Sequence, residues 1–121
     1  MLKLFTYYRS VSTYPVRIAL NYKGVPYQPV YIDSDRKEHL SDEYLRLNPQ
    51  GLVPALIVDD RLVVTQSFAI VEYLEERYAE RALLPEGAEA RAQVLLKGDA
   101  LDQRLELERE SIVRKRELLA Q

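Results

Sequence analysis

The stretch Asn48-Pro49-Gln50-Gly51-Leu52-Val53-Pro54-Ala55-Leu56 decides how the rest of the chain is read. Asn48-Pro49 and Gln50-Gly51 are turn-forming pairs, and the residues after them are apolar. Pro54 has no backbone N–H and a fixed φ, so it suits the first position of a strand and not its middle. It also pushes Val53 into extended geometry, leaving the N–H and C=O of Val53 free to face outward. An extended residue with unpaired backbone groups at the mouth of a strand can hold a peptide as a neighbouring strand would. An ordinary turn into an edge strand is the alternative that these residues alone leave open.

Working outward, residues 54–58 and 61–65 flank a tight turn at Asp59-Asp60 and predict a β-hairpin. Ser67 then starts a helix that runs to about Tyr78. On the other side, Ser41 predicts the cap of a short helix with Asp42 and Glu43 in its first turn, where the helix dipole favours acids. Residues 27–32 read as a strand, followed by the polar run Asp33-Ser34-Asp35-Arg36-Lys37-Glu38. Residues 2–5 read as the first strand, and the loop after it leads into a helix from about Pro15 to Lys23. Pro15 fits the first turn of that helix, Ser12 or Thr13 its cap, and Gly24 its stop. A strand–helix–strand unit followed by a hairpin and a helix predicts an α/β fold with a four-stranded mixed sheet. Its first two strands should be parallel and joined by a right-handed crossover. The last helix is apolar over more than one stripe (Phe68, Ala69, Ile70, Val71, Tyr73, Leu74, Tyr78), so it should be covered on a second side as well.

A length of 121 residues predicts one domain with room for a short appendage. With 47% apolar and 30% charged residues, the chain has the composition of a folded globular protein and not of a disordered one. A net charge of −2 gives no electrostatic reason to expect nucleic acid or an anionic membrane as partner. No apolar run is long enough to span a bilayer, and Met1-Leu2-Lys3-Leu4-Phe5 turns polar too soon for a signal peptide, so a cytoplasmic protein is expected. Without cysteine there is no disulfide, thiolate metal site or redox dithiol. The only histidine, His39, has no second candidate ligand nearby, so no metal is expected.

Three segments resemble the glutathione transferases in order and spacing over residues 1 to about 85. They are Tyr8-Arg9-Ser10-Val11-Ser12-Thr13-Tyr14-Pro15-Val16-Arg17-Ile18-Ala19-Leu20, the stretch quoted first, and Thr65-Gln66-Ser67-Phe68-Ala69-Ile70-Val71-Glu72-Tyr73-Leu74. Within that family the likeness is to the zeta class, which includes maleylacetoacetate isomerases. The resemblance implies a thioredoxin-like, glutathione-binding domain over residues 1–82. It implies a cis Val53-Pro54 peptide whose backbone meets the cysteinyl residue, and Gln66 and Ser67 at the γ-glutamyl end. His39 stands where related transferases use histidine or glutamine against the glycyl carboxylate. Ser10 matches the first serine of the zeta motif and is the expected thiolate donor, with Ser12 in a back-up role. The zeta pattern Ser-Ser-Cys-Ser reads Ser10-Val11-Ser12-Thr13 here.

The chemistry beside that resemblance is simple. A cysteine-like thiol with a pKa of about 8.5 is only a few per cent thiolate at neutral pH. Lowering that pKa by ~2 units takes about 2.7 kcal/mol of preferential thiolate stabilisation. A hydroxyl near the start of a helix supplies a hydrogen bond and a favourable dipole to an anion. The plain structural alternative for Ser10 is a loop or capping serine and for Ser67 a helix cap, Ser12 and Thr13 are expected as caps, and Asp60 and Glu72 read as solvated.

After the linker-like Pro85-Glu86-Gly87, residues 88–121 contain no proline. Steps of four and three from Val94 pass through Gly98, Leu101, Leu105, Glu108, Ile112, Lys115 and Leu119, an interrupted apolar seam. Residues 83–121 are therefore expected to be a helical extension, a remnant of the family's all-helical second domain, that pairs two chains as a homodimer. Three functions stay open: an enzyme activating glutathione toward a small electrophile or for cis–trans isomerisation, a non-catalytic glutathione-binding scaffold, and a truncated or redesigned form of a longer transferase.

Overall fold

The computed structural model describes residues 1–98, 114 and 118–120. It divides into two compact units, Met1–Leu83 and Leu84–Gln121.

The first unit is built on β1 (Leu2–Thr6), the central strand from which the rest takes its register. α1 (Tyr14–Lys23) leads to β2 (Gln28–Tyr31), which lies parallel to β1 with Leu4 opposite Pro29. β3 (Ala55–Val58) runs antiparallel on the other side of β1, and β4 (Leu62–Thr65) completes the hairpin, giving the order β2-β1-β3-β4. This is the four-stranded mixed sheet that the sequence predicts. The hairpin turns because Asp59 and Asp60 both take left-handed backbone, at φ 50° and 54°, the combination whose twist matches the flanking strands.

Side chains alternate across β1, so Leu2, Leu4 and Thr6 are buried while Lys3 and Phe5 face the other side. The buried face carries α1 and α3 (Ser67–Arg77), whose Val16, Ala19, Leu20, Ile70 and Leu74 close the core over Leu2, Leu4 and Leu56. Each such aliphatic side chain contributes roughly 1.5–3 kcal/mol by leaving water. The opposite face carries α2 (Asp42–Leu47), where the Tyr44 ring sits 5.5 Å from that of Phe5. Ser41 caps α2 as expected, its Oγ accepting from the Tyr44 N–H at 3.2 Å.

At the sheet edge, the Ile32 N–H donates to the Thr6 carbonyl. Backbone groups alternate sides along a strand, so residues 28, 30 and 32 turn theirs to β1, and Pro29 and Tyr31 turn theirs to the open edge. The proline thus sits where its missing N–H breaks no ladder.

Two expectations are corrected. Ser12 and Thr13 do not cap α1 through their side chains: Thr13 holds the N-cap position, but its hydroxyl donates back to the Ser10 carbonyl at 2.9 Å. Ser67 starts α3 as expected, as its first helical residue, and Gln66 holds the cap position. The second apolar face of α3 is smaller than its composition implies, because Val71, Tyr73 and Tyr78 pack partly against the core while Phe68 is 61% exposed.

At the start of β1, Lys23 and Glu75 form a buried ion pair at 3.3 Å that the sequence did not suggest. The Lys23 ammonium also donates to the carbonyls of Tyr78 at 2.8 Å and Arg81 at 3.0 Å. Glu75 in turn accepts the Leu83 N–H.

In the second unit, residues 88–98 are helical. Gly87, at φ 91°, precedes the first turn, and the Arg91 N–H donates to its carbonyl. Val94, Leu95 and Leu96 are exposed, as is Leu119. The seam positions Leu101, Leu105, Glu108, Ile112 and Lys115 lie outside the described residues. No described helix is long and apolar enough to cross a membrane.

Candidate functional site

The site is set by how the turn before Pro54 is held. Asn48 follows α2 and is almost fully buried. Its Nδ2 donates to the Leu52 carbonyl at 2.8 Å, and the Tyr44 hydroxyl donates to that same oxygen at 2.5 Å. Asn48 Oδ1 accepts the Gln50 N–H, and its carbonyl accepts the Gly51 N–H. Burial pushes the Tyr44 phenol above its ordinary value, partly offset by the hydrogen bond with Asn48, so the phenol stays a donor. Gly51 takes φ +64°, and a Cβ there would meet the His39 carbonyl and Leu40 Cδ2 at 3.2 Å, so glycine is needed twice over.

These ties pin Leu52 and present Val53, whose peptide bond to Pro54 is cis. No hydrogen bond of the Val53 N–H occurs among the described residues, whereas its carbonyl accepts from Ser12 Oγ at 3.0 Å. Ser12 lies in the single turn Val11–Thr13 before α1, with its Oγ 2.9 Å from Ser10 Oγ. From the other side, the Ser67 hydroxyl donates to the Ser12 carbonyl. Gln66, at φ 70°, points its Nε2 to Gln50 Oε1 at 2.7 Å. The first-turn N–H groups of α3 have no acceptor within the helix, and Ser67, its first residue, lines this same place.

Ser12, Val53, Pro54, Gln66 and Ser67 therefore share one open cleft of about 140 Å³ with Asn48, Gln50 and Leu52. Ser10 does not line it; it stands one hydrogen bond behind Ser12. His39 does not line it either, sitting in the turn Glu38–Leu40 that packs on Gly51. His39 Nδ1 is enclosed and has no hydrogen-bond partner among the described residues. A larger concavity of about 530 Å³ lies at the other end of β1, around Lys23, Val25 and Tyr78. The polar groups of Lys23 there are already taken by protein acceptors, so size does not make it the better site.

Tyr7, directly after β1, is not available as a donor to a ligand. Its hydroxyl donates to Asp35 Oδ2 at 2.8 Å, and chiefly for that reason the phenol is pushed up to about 12. Arg9 lies 3.6 Å from the same carboxylate and over the Tyr8 ring. Tyr8 and Asp35 together raise its guanidinium above its ordinary value. Among the described residues, no group of acidic and histidine side chains could hold a metal ion.

Residues 4–82 match the glutathione S-transferase N-terminal domain. The chain belongs to the glutathione S-transferase family. It is 59% identical over 85 residues to the maleylacetoacetate isomerase of Pseudomonas aeruginosa, a match covering 69% of this chain and 40% of that protein. It superposes with a TM-score of 0.72 on a maleylpyruvate isomerase described as a bacterial zeta-class transferase, at 46% identity over 78% of this chain and 44% of that one. It also superposes, with a TM-score of 0.68 and 45% identity, on a Methylobacterium maleylacetoacetate isomerase with malonate and glutathione bound, over 74% of this chain and 42% of that one. The match thus spans 40–44% of the length of these relatives. The thioredoxin-like transferase fold expected from the sequence is the fold observed.

Sequence reading of this transferase domain passed over Gln50, Tyr44 and Asn48 as functional supports. Asn48 shows as a brace of the turn only through its burial and its bond to the Leu52 carbonyl, and Gln50, which is exposed, only through its contact with Gln66.

Proposed function

We propose that this chain binds glutathione in the cleft between the turn at Val53 and the start of α3, and that a serine hydroxyl there stabilises its thiolate. The observation that carries the reading is convergence: a hydroxyl, an outward backbone N–H and a helix N-terminus face one cleft. Val53 would pair with the cysteinyl backbone, and Gln66, Ser67 and the amides of α3 would receive the γ-glutamyl carboxylate. His39 would meet the glycyl carboxylate. Ser12 is the hydroxyl at the cleft wall and Ser10 supports it, so both expected serines act through one chain of hydrogen bonds. The thiolate would then serve conjugation to a small electrophile or a cis–trans isomerisation, in keeping with the isomerase names and the bound glutathione of the relatives.

Isothermal titration tests binding, and thiolate absorbance against pH tests activation. Heat at millimolar glutathione together with a thiol pKa below that of the free tripeptide is the expected result. Absence of heat from folded protein refutes the reading, and binding with an unshifted thiol would make the chain a glutathione-binding scaffold. The exposed Val94, Leu95 and Leu96 favour a homodimer formed through the helical extension. Sedimentation equilibrium at micromolar concentration should show the dimer, and a clean monomer would overturn it.

A further inference from the structure

The arrangement of hydrogens in the Ser10–Ser12–Val53 chain follows from donor counting. A carbonyl cannot donate, so the 3.0 Å contact between Ser12 Oγ and the Val53 carbonyl uses the hydrogen of Ser12. A serine hydroxyl has one hydrogen, so the 2.9 Å contact between the two hydroxyls must use that of Ser10. The chain therefore runs Ser10 to Ser12 to Val53, with both hydrogens committed to the protein. Such chains polarise each member, which makes Ser12 a better donor than an isolated serine. As it stands, however, its hydrogen is aimed at a carbonyl.

We propose that Ser12 is a switched donor. Its hydroxyl stays on the Val53 carbonyl until the cysteinyl N–H of glutathione takes that carbonyl, and then turns to the sulfur while Ser10 donates to it from behind. The inference rests on the reading of the cleft as a glutathione site. Its logic is one of exchange. A thiolate attracts a donor more strongly than a neutral carbonyl does. Leaving the carbonyl under a bound ligand without a donor would nevertheless strand a polar group away from water. A peptide lying along Val53 as a strand brings its own N–H to that oxygen, so Ser12 can leave without stranding it. Thiolate stabilisation is thus coupled to correct seating of the tripeptide's backbone, and a thiol that lacks the cysteinyl amide would not receive it. Ser12 is then the catalytic residue and Ser10 a positioning residue.

The test compares glutathione with its depsipeptide analogue, in which the cysteinyl N–H is replaced by an ester oxygen. Each is titrated on the full chain, affinity by calorimetry and thiol ionisation by ultraviolet absorbance. The ester should bind roughly tenfold more weakly, for loss of one hydrogen bond. Its bound thiol should ionise about one unit above that of bound glutathione. In Ser12→Ala the two bound thiols should ionise at the same pH, Ser12→Thr should restore the difference, and Ser10→Ala should shrink it. A difference that persists in Ser12→Ala, or two bound thiols that titrate alike in the unaltered protein, would overturn the switch alone. An ester that fails to bind where glutathione does would also overturn it, since the N–H would then act in binding. Failure of glutathione itself to bind would instead remove the reading of the cleft.

Discussion

Two polar networks lie at opposite ends of β1, and they are built in opposite ways. At the end where Leu2 faces Val58, Lys23 and Glu75 are sealed from water, their side chains 0% and 3% exposed. Every direction of the Lys23 ammonium ends on a protein acceptor that cannot be exchanged. At the end where Phe5 faces Ala55, the hydroxyls of Ser10, Ser12 and Ser67 are tied only to backbone carbonyls or to one another, within reach of solvent. A donor with fixed, dry partners contributes order, whereas a donor with wet and replaceable partners can be handed to a ligand. The difference separates stability from function within one small domain.

The largest effect is expected at the sealed end. Lys23→Met keeps the length of the side chain but removes the ammonium between Glu75 and the carbonyls of Tyr78 and Arg81. Opening a buried pair from one side costs about 3–5 kcal/mol. Urea unfolding should show that loss, while the glutathione affinity of the folded fraction stays the same. A variant that loses affinity before stability would tie the two ends together. At the open end the pattern reverses. Ser67→Ala should weaken glutathione binding by about 1–3 kcal/mol, the cost of leaving a charged group short of a partner, while moving the unfolding midpoint much less. Calorimetry at fixed salt measures the first and urea the second.

A smaller effect sharpens the boundary between the ends. Ser41→Ala removes the cap of α2 at a cost of about 1 kcal/mol, and hydrogen exchange should report it at the amides of α2. Because Tyr44 of that helix holds Leu52, a slight loss of glutathione affinity should accompany it. The smallest effect appears only in alkali. The Tyr7 phenol is held above its ordinary value of 10, at about 12, by its hydrogen bond to Asp35. In that window the folded state keeps a proton that the unfolded state has lost. The contribution is therefore complete below the ordinary value and is lost as pH rises towards the folded one. Unfolding curves of the unaltered protein should lose stability with pH across that window, and Tyr7→Phe should flatten the slope.

What was legible in the sequence was what local chemistry determines. Ser41 caps α2 because its side chain needs only the amide three residues on, and Asp59-Asp60 turns the hairpin because both residues tolerate left-handed backbone. Pro54 marked the start of β3 without any knowledge of what lay beside it. The rest depended on neighbours distant along the chain. Ser12 and Val53 are 41 residues apart, and Ser12 looked like a cap until the Val53 carbonyl was seen to claim it. The Ser67 hydroxyl reaches back 55 residues to the Ser12 carbonyl, a partner that nothing near it in the sequence announces. Val71 and Tyr78 looked like an outer face of α3 because periodicity cannot say how far a core wraps round a helix. The pairing of Lys23 with Glu75 is not legible either, since nothing near one in the sequence announces the other.

The placement of Pro29 has a consequence for how the sheet meets other sheets. Of its two borders, β2 turns Pro29 outward and has no N–H to offer an incoming strand at that point. β4, the other border, reads Leu62-Val63-Val64-Thr65, β-branched and without proline, with Leu62 and Val63 exposed. Among the described residues, strand addition is thus hindered at Pro29 on one side and meets no such proline on the other. Aggregates grown from the folded domain would begin at β4, and a charged or proline substitution there is the change that would keep concentrated solutions clear.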